Sequence, residues 1–592
     1  MVELVDTRDL KSLGQKWLCG FESRSRHYFN INIFMQKNLI FTISACSVLA
    51  LASCSKLGPL SADNFTVTPN PLEAHAGEVP ATVSGVFPEK YMKKKVVVTV
   101  TPELRYANGG VAKGQGATFQ GEKVKGNDRT ISYRLGGRYT MKTGFDYVPE
   151  MMKSEMYLTF DARKGSKVYK VPAVKVADGV IATSELYKAA ILKDGGCIAP
   201  DSFQRVREQK QEANIKFLVN QANLRKSELK NNSVKEFVKM LKKINADREG
   251  LNIQNVEIQA YASPEGGVSF NDKLANKRQN TSEEYVKQQL KETKVSTGID
   301  AHYTAQDWDG FQQLVQASNI QDKDVVLRVL SMYKDPEERE QQIRNMSAVF
   351  RELADGILPE LRRSRLIINY ETIGRSDEQI QEQFATDASK LSVDELLYAA
   401  TLEEDINKQM AVYKKTAELY DRDYRAYNNL AALSIAKGDI ATANDYLTQA
   451  MRVDAKAAEA YANKGLINLI QGDLNEAEAN IAKSAGSESV GYALGALNVA
   501  KGNYVQAEKD FGDEYTNCLG LAQLLNKNYA AAITTLDKTA NKDALTSYLH
   551  AIVAARQGNK FAASSYLKEA IEKNPSFKAY ADNDLELSIL NK

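Results

Sequence analysis

The stretch AKGDIATANDYL at residues 436–447 and the stretch IQGDLNEAEANI at residues 470–481 decide the fold of the C-terminal third of the chain. They align without a gap, glycine on glycine and, five positions later, alanine on alanine. A glycine ends one helix and permits a tight turn, and a small alanine lets two helices cross closely. The two stretches therefore predict two consecutive helical hairpins.

The same pattern recurs along residues 391–592. The turn positions are Gly438, Gly472, Gly502, Lys527 and Gly558. The alanines five positions later are Ala443, Ala477, Ala507, Ala532 and Ala563. Larger apolar residues stand nine positions after each turn, at Leu447, Ile481, Phe511, Leu536 and Leu567. Each hairpin is thus expected to cross at alanine and to fill its core with the larger residue.

The first spacing between turns is 34 residues, and the later spacings shrink to 25–31 residues. With Asn574-Pro575 closing the last repeat, the array resembles the tetratricopeptide family in a degenerate form. The resemblance implies an all-α superhelix of five or six hairpins whose concave face holds a peptide or an unidentified partner protein.

The N-terminus carries a different signal. Residues 1–34 show neither helical nor strand periodicity and resemble the conceptual translation of a transfer-RNA gene, so they are predicted to be a misassigned extension before a true start at Met35. Residues 35–53 then have a basic start at Lys37, an apolar run and a small-residue cleavage site ending at Cys54. This is the pattern of a lipoprotein signal peptide, with an ordinary cleaved signal peptide as the alternative.

Lipidation of Cys54 predicts attachment to the outer membrane through acyl chains, because the apolar run is too short to span a bilayer. Residues 54–63 are expected to be a tether. They lack the acidic cluster that resembles the surface-export signal of Bacteroidetes lipoproteins, which favours a periplasm-facing orientation.

Residues 64–184 contain short β-branched runs separated by Gly, Pro, Asn and Asp, which is typical of a β-sandwich. Residues 185–204 are interpreted as a linker. No carboxylate pair, activated nucleophile or phosphate-binding loop stands out in the β-rich segment, so its role is left open.

Residues 205–375 alternate strand and helix patterns. A strand at 213–219 is followed by an amphipathic helix opened by the capping box Ser233-Val234-Lys235-Glu236, a strand at 256–262, and a second helix after the turn Ser263-Pro264-Glu265-Gly266. The order predicts a β-α-β-α sandwich.

The second strand, turn and helix resemble the OmpA-like domain family through Gly266, Asn271, Leu274 and Arg278. In that family an aspartate and an arginine bind the diaminopimelate of peptidoglycan. The resemblance implies that Arg278 would meet a ligand carboxylate in charge-assisted hydrogen bonds. The family's aspartate falls on Ser263, which carries no charge, and Glu265 is the candidate substitute.

The arginine-rich run at 361–368 resembles the family's late strand, but it arrives after a long stretch. Residues 304–358 are therefore predicted to be a helical insertion, and residues 376–390 a second linker. The chain is expected to be multidomain, comprising a β-sandwich, an α+β OmpA-like sandwich with a helical insertion, and an all-α tetratricopeptide superhelix.

Composition excludes some classes of protein. The 77 basic and 75 acidic residues give a net charge of +2 and no overall basic field for nucleic acid. Five cysteines form no CxxC pair and four histidines are scattered, so neither a metal site nor a cofactor is predicted. No segment gathers the groups of a catalytic site, and no enzymatic activity is expected.

The resulting hypothesis is an outer-membrane lipoprotein that acts as a scaffold, with the OmpA-like domain contacting peptidoglycan and the repeats binding a partner protein. The alternative is a surface-exposed glycan-binding or pilus-assembly lipoprotein in which the OmpA-like fold is only structural. The missing aspartate at Ser263 is the residue that favours this alternative.

Overall fold

The structure, a computed structural model, describes residues 57–320, 322–487, 490–540 and 542–591. The predicted extension, signal peptide and lipidation residue Cys54 lie outside the described residues. The chain forms two compact units, one made of residues before 202 together with residues after 391, the other of Ser202–Leu391. The first unit contains the β-rich segment and the repeats.

The β-rich segment is built on two larger sheets that share one apolar core. Its strands are β1 (Phe65–Thr68), β2 (Leu72–Glu73), β3 (Ala81–Phe87), β4 (Val97–Tyr106), β5 (Gly110–Lys113), β6 (Ala117–Gly121), β7 (Arg129–Ile131), β8 (Gly137–Thr143), β9 (Ser154–Lys164), β10 (Lys167–Lys170), β11 (Val174–Asp178) and β12 (Val180–Ile181). One sheet has the order β1-β3-β8 and the other β10-β9-β4-β6-β7, with β5 and β11 attached at β4 and β9. Strand β4 alternates buried and half-buried residues, as a strand with one face on a core must.

The C-terminal region consists of helical hairpins, as the repeats predict. Its helices, numbered after those that precede them in the chain, are α10 (Val393–Thr401), α11 (Ile406–Leu419), α12 (Tyr424–Ala436), α13 (Ile440–Val453), α14 (Ala458–Gln471), α15 (Leu474–Ile481), α16 (Val490–Ala500), α17 (Tyr504–Phe511), α18 (Asn517–Leu525), α19 (Tyr529–Lys538), α20 (Ala544–Arg556), α21 (Lys560–Lys573) and α22 (Ser576–Ala581). In each hairpin from α12 onward, the even-numbered helix comes first and the odd-numbered helix folds back on it.

The residues between hairpin helices explain the repeat pattern. The turn glycines Gly438, Gly472, Gly502 and Gly558 have φ of +75°, +81°, +76° and +77°, the left-handed conformation that glycine adopts without steric cost. The alanines at 443, 477, 507, 532 and 563 are fully buried, which is consistent with close crossing of paired helices.

Residues 185–204, interpreted from sequence as a linker, contain instead a helix, α1 (Tyr187–Asp194). Five of its eight residues are buried, and they belong to the apolar core of the repeats. The segment from Thr183 to Asp201 is called the groove segment below. The physical reason for the difference is that its apolar residues have partners more than two hundred residues later in the chain.

The second unit is an α/β sandwich with a four-stranded sheet. Its strands are β13 (Val206–Lys216), β14 (Leu251–Tyr261), β15 (Gly298–Thr304) and β16 (Arg363–Ile373), in the order β13-β16-β14-β15. Helices α2 (Asn232–Ala246) and α3 (Val268–Thr293) pack on one face, with Phe237, Leu241 and Val286 fully buried. The chain order β-α-β-α is the one that the sequence predicts, and a third strand follows it.

Between β15 and β16 lie five helices, in the stretch where the sequence predicts a helical insertion. They are α4 (Trp308–Ala317), α5 (Lys323–Met332), α6 (Pro336–Asn345), α7 (Ser347–Gly356) and α8 (Leu358–Leu361). They form their own apolar cluster around Phe311, Val315 and Val326. The predicted linker at 376–390 contains the helix α9 (Asp377–Asp387), which packs on the short turn after it.

Close crossing in the repeats also depends on glycines inside the first helices of hairpins. A Cβ added at Gly495 would lie 2.7 Å from the ring of Phe511, the larger residue nine positions after the turn at Gly502. Gly465 and Gly520 meet Ile481 and Leu536 in the same way, at 2.4 Å and 2.6 Å.

We expect Gly495→Val to destabilise the first unit by about 1–3 kcal/mol, because the added side chain must push the two helices apart. Thermal unfolding followed by circular dichroism measures the loss. Ala530→Val, on an exposed position of a second helix, is the matched control and should change stability by less than about 0.7 kcal/mol. Equal effects of the two substitutions would contradict the close crossing.

Candidate functional site

The side of the repeat array that is formed by the first helices of its hairpins, called the groove below, is covered by the groove segment. Helix α1 contacts the first helices of four successive hairpins, which are α12, α14, α16 and α18. Its residues Ala190 and Ile191 are completely buried against them. The groove that the sequence assigned to a peptide or partner therefore holds a peptide segment, and that segment belongs to the same chain.

Side-chain amides bind the extended part of the groove segment. Asn463 accepts a hydrogen bond from the Cys197 amide at 2.6 Å and donates one to the Cys197 carbonyl at 2.8 Å. Asn429 does the same for Ala199, at 2.7 Å and 3.1 Å. Asn428 adds a third amide, donating to the Cys197 carbonyl at 3.0 Å. These three amides thus bind main-chain atoms of the groove segment rather than its side chains.

Two glycines let the segment lie close to the helices. A Cβ at Gly196 would fall 2.6 Å from Asn463 Oδ1 and 2.7 Å from the Cα of Ala432. Both contacts are too short for a real side chain, and one of them is with backbone. Gly195 precedes it with φ +87° and ends helix α1. The Gly-Gly pair, which looked like linker composition, therefore combines a positive φ at Gly195 with a close approach at Gly196.

Asp194 joins the groove segment to helix α18. Its carboxylate accepts hydrogen bonds from the amides of Asn517 and Cys518, both at 2.9 Å, and from the Tyr492 hydroxyl at 3.1 Å. These amides open a helix, where N–H groups lack partners within the helix. Burial raises the pKa of Asp194 to about 6, although the two backbone hydrogen bonds oppose the rise.

Arg425 fixes the end of the groove segment. Its guanidinium donates to the carbonyl of Asp201 at 2.9 Å and to the carboxylate of Asp394 at 2.9 Å. Hydrogen bonds to Asp423, with further help from Asp394, raise the pKa of Arg425. One guanidinium therefore holds both the point where the chain leaves the first unit and the point where it returns.

The last residues of the chain hold the other end of the groove segment. Thr183 donates a hydrogen bond to Glu586 at 2.7 Å, and Glu586 is also paired with Arg556. The Tyr548 hydroxyl donates to the buried Asp584 at 2.6 Å. Burial raises the pKa of Asp584 to about 6. The groove is thereby occupied along its length.

Sequence reasoning missed this arrangement, although one signal was present. The run Leu186-Tyr187-Lys188-Ala189-Ala190-Ile191-Leu192 is apolar at helical spacing, and Gly195-Gly196 follow it after two polar residues. A surface linker has no reason to be so apolar. The asparagines at 428, 429 and 463 gave a second signal, since three buried amides need partners.

The second candidate site is the turn between β14 and α3 of the α/β unit. Asn271, which matches the family signature, donates hydrogen bonds to the carbonyls of Ser263 at 3.0 Å and Gly266 at 2.7 Å. Both Asn271 and Ser263 are buried. Asn271 therefore fixes the shape of the turn.

Arg278 lies in the interior, with 1 % of its surface exposed. Its guanidinium donates to three carbonyl oxygens, of Gln221 at 3.0 Å, Tyr261 at 2.8 Å and Leu218 at 3.2 Å, and lies over the Phe217 ring. Burial lowers the pKa of Arg278 to about 10. In this state the residue crosslinks a loop to the end of β14.

Glu265 also has an internal partner. Its carboxylate accepts two hydrogen bonds from Arg362, at 2.7 Å and 2.9 Å, and one from the Ser263 hydroxyl at 2.7 Å. Burial raises the pKa of Glu265, but the bonds from Arg362 and Ser263 outweigh it and leave that pKa below its usual value. The structure thus brings Ser263, Glu265, Asn271 and Arg278 together. Peptidoglycan binding by this cluster stays a prediction.

Two further findings bear on chemistry and attachment. Among the residues that the structure describes, no group of three or more His, Cys, Asp or Glu side chains is placed to hold a metal ion. In the same part of the chain, none of the helices has the length and apolar character needed to cross a membrane.

No protein-family model matches the chain, and no curated protein matches it. Solved structures do. A tetratricopeptide repeat protein from Parabacteroides merdae is 16% identical over 36% of this chain and 91% of its own, with a TM-score of 0.27. The APC/C hetero-tetramer Cut9-Hcn1 is 17% identical over 36% of this chain and 44% of its own, with a TM-score of 0.27. PilF from Pseudomonas aeruginosa is 14% identical over 36% of this chain and 97% of its own, with a TM-score of 0.25. The C-terminal region of this chain is an array of helical hairpins.

The amide contacts generate one prediction. We expect Asn463→Ala to cost about 1–3 kcal/mol, because the Cys197 amide and carbonyl would stay buried without this partner. Hydrogen exchange at residues 195–201 should become faster. Asn444→Ala is the matched control, since that half-buried amide bonds Lys464 and its own helix, and exchange at 195–201 should then be unchanged. Unaltered exchange in Asn463→Ala would refute the role of the amide.

The buried carboxylate of Asp194 generates another. Because its folded-state pKa is raised from 3.8 to about 6, the folded state binds more protons than the unfolded state in this window. The stability that Asp194 contributes is therefore full below pH 3.8 and is lost as pH rises through about 6, a change of about 3 kcal/mol.

Denaturant unfolding of the first unit across this pH range measures the slope. Asp194→Asn should flatten it, whereas the exposed Asp513→Asn should leave it as in the wild type. A slope that survives in Asp194→Asn would assign the dependence to other groups.

Proposed function

We propose that this chain is a non-enzymatic scaffold of the bacterial cell envelope. Lipids on Cys54 attach it to the outer membrane, facing the periplasm, its α/β unit contacts peptidoglycan, and its repeat array binds a partner protein. The observation that carries the scaffold role is the groove, which binds a peptide main chain through Asn428, Asn429 and Asn463. The array therefore works as a peptide receptor, and it uses that property within its own chain.

Occupation of the groove directs a partner elsewhere on the array. The second helices of the hairpins form the other side, and there Val505 and Phe561 expose 58% and 87% of their surfaces. Both stand three positions after a turn glycine, so they occupy the same place in their repeats. A partner protein that binds this side would meet these two exposed apolar side chains.

The peptidoglycan contact is supported by the cluster around the turn at Ser263–Gly266. It holds two arginines, Arg278 and Arg362, and one carboxylate, Glu265, so its formal charge is positive. A ligand carboxylate would compete with Glu265 for the Arg362 fork. The class of ligand, the diaminopimelate of peptidoglycan, is inferred from the resemblance of this segment to the OmpA-like family.

One observation favours the second candidate function, in which the OmpA-like fold is only structural and the protein binds glycan or pilus components at the surface. Arg278 has all three of its guanidinium nitrogens bonded to main-chain carbonyls. A side chain in that state stabilises the unit without any ligand.

Co-sedimentation of the mature chain with purified peptidoglycan distinguishes the two functions. We expect the wild type to pellet and Arg362→Lys to lose most binding, because a lysine cannot form the two-pronged contact that the Arg362 fork makes with a carboxylate. Lys277→Ala, at an exposed position of the same unit, is the matched control and should pellet like the wild type. Thermal unfolding of each variant shows whether the α/β unit remains folded.

Failure of the folded wild type to pellet would remove the peptidoglycan role and leave the second candidate. Loss of binding in both variants would show that the contact is a general charge effect rather than a property of Arg362.

A further inference from the structure

A basic surface lies on the β-rich segment, at one end of its larger sheet. It is formed by three stretches, which are the loop before β4 (88–96), the loop after β6 (121–129) and the β9–β10 hairpin (161–170). These stretches contain eleven basic and four acidic residues, a net charge of +7, whereas the whole chain has +2. The positive charge of the protein is therefore concentrated here.

Backbone contacts hold the three stretches together. The Lys123 amide donates to the Lys94 carbonyl at 2.7 Å, which joins the two loops. Val97, the first residue of β4, pairs with Arg163 of β9. The ammonium groups of Lys93 and Lys167 both lie over the ring of Tyr169, at 5.4 Å and 5.5 Å from its centre. The lysines thus form one surface.

The basic side chains face solvent. Exposed positions of the basic surface are Lys90, Lys94, Lys95, Lys123, Lys125, Arg129, Arg163, Lys164, Lys167 and Lys170. Lys94 lies 4.0 Å from Glu122, and Arg163 pairs with Asp161. Within the described part of the chain, no ion pair involves Lys95, Lys125 or Lys164.

An apolar residue stands among these lysines. Val168, on the hairpin, exposes 58% of its surface between Lys167 and Lys170. A small apolar side chain flanked by cations suits the boundary between lipid headgroups and acyl chains. An exposed valine would contribute little to a surface that binds a highly charged soluble polymer.

The start of the described chain lies at the same surface. Leu57 and Leu60 are buried in the core of the β-rich segment, and the Gly58 carbonyl accepts a hydrogen bond from Tyr91 at 3.1 Å. Tyr91 belongs to the loop that carries Lys93, Lys94 and Lys95. Cys54 precedes Gly58 by four residues, which span at most about 14 Å. A lipid on Cys54 would hold the bilayer beside the basic surface.

We propose that the basic surface docks on anionic phospholipid headgroups of the membrane that anchors the chain. The inference rests on the proposed lipid attachment at Cys54 and adds an orientation to it. The acyl chains fix the distance of the protein from the bilayer, and the lysines turn the hairpin and the two loops toward it. Each lysine near an anionic bilayer strengthens partition about five-fold at low salt.

The test uses the full mature chain with Cys54→Ser, so that no acyl chain masks the effect. We expect it to co-sediment with vesicles of equimolar phosphatidylcholine and phosphatidylglycerol, but not with phosphatidylcholine alone, and to be released at high ionic strength. Changing Lys95, Lys125 and Lys164 together to Glu should weaken binding by at least about a hundred-fold. Changing Lys456, Lys509 and Lys560 of the repeats to Glu is the matched control and should have little effect.

Equal weakening by both triple variants would overturn the proposal, since net charge alone would then explain binding. Binding to polyglutamate or duplex DNA in preference to the anionic vesicles would also overturn it and assign the surface to an acidic macromolecule. Metabolic labelling of Cys54 with palmitate tests the anchor separately. Vesicle binding without labelling would refute the lipid attachment at Cys54 and support docking by the basic surface. Labelling without vesicle binding would support the attachment and refute the docking.

Discussion

The pairing of buried asparagine amides with the main chain of residues 197–199 is the constraint on which the first unit depends. Asn428, Asn429 and Asn463 have at most 1% of their surface exposed. A buried amide without a partner costs free energy comparable to a lost hydrogen bond, and the same holds for a buried peptide group. The buried amides of the array and the buried peptide groups of the groove segment therefore supply each other's hydrogen-bond partners. Because the groove segment continues the β-rich segment, the two regions form one compact unit.

Sequence reasoning reached the local features of the repeats, because their causes lie within a few residues. Gly438 and Gly472 end their helices with positive φ, and Ala443 and Ala477 are buried where hairpins cross. The occupant of the groove was out of reach for the opposite reason. Cys197 is 266 residues from Asn463, and no period or spacing in the sequence connects them. Composition alone made Gly195-Gly196 look like a linker.

In the α/β unit, too, the sequence predicts where a residue lies but not which groups surround it. The signature placed Arg278 on the right helix, beside Asn271 and the turn, as the structure has it. It could not give the surroundings of the guanidinium, because the carbonyls of Leu218 and Gln221 come from a loop without any pattern. Similarly, Glu265 is held by Arg362, which is 97 residues away. A motif thus predicts the position of a residue on its helix or turn. Whether the side chain is buried, and which groups bind it, depends on residues far away in the sequence.

The groove segment also imposes an order on folding. Asn428 follows Cys197 by 231 residues, so synthesis at roughly 5–20 residues per second leaves the apolar face of helix α1 without its partners for about ten to fifty seconds. The whole α/β unit, Ser202–Leu391, is made in that interval, and Arg425 later joins its two flanks at Asp201 and Asp394. The groove segment can therefore be covered only after the C-terminal repeats exist. A chain that ends between helix α1 and the repeats would carry an uncovered apolar helix, which marks incomplete molecules for chaperones or proteases.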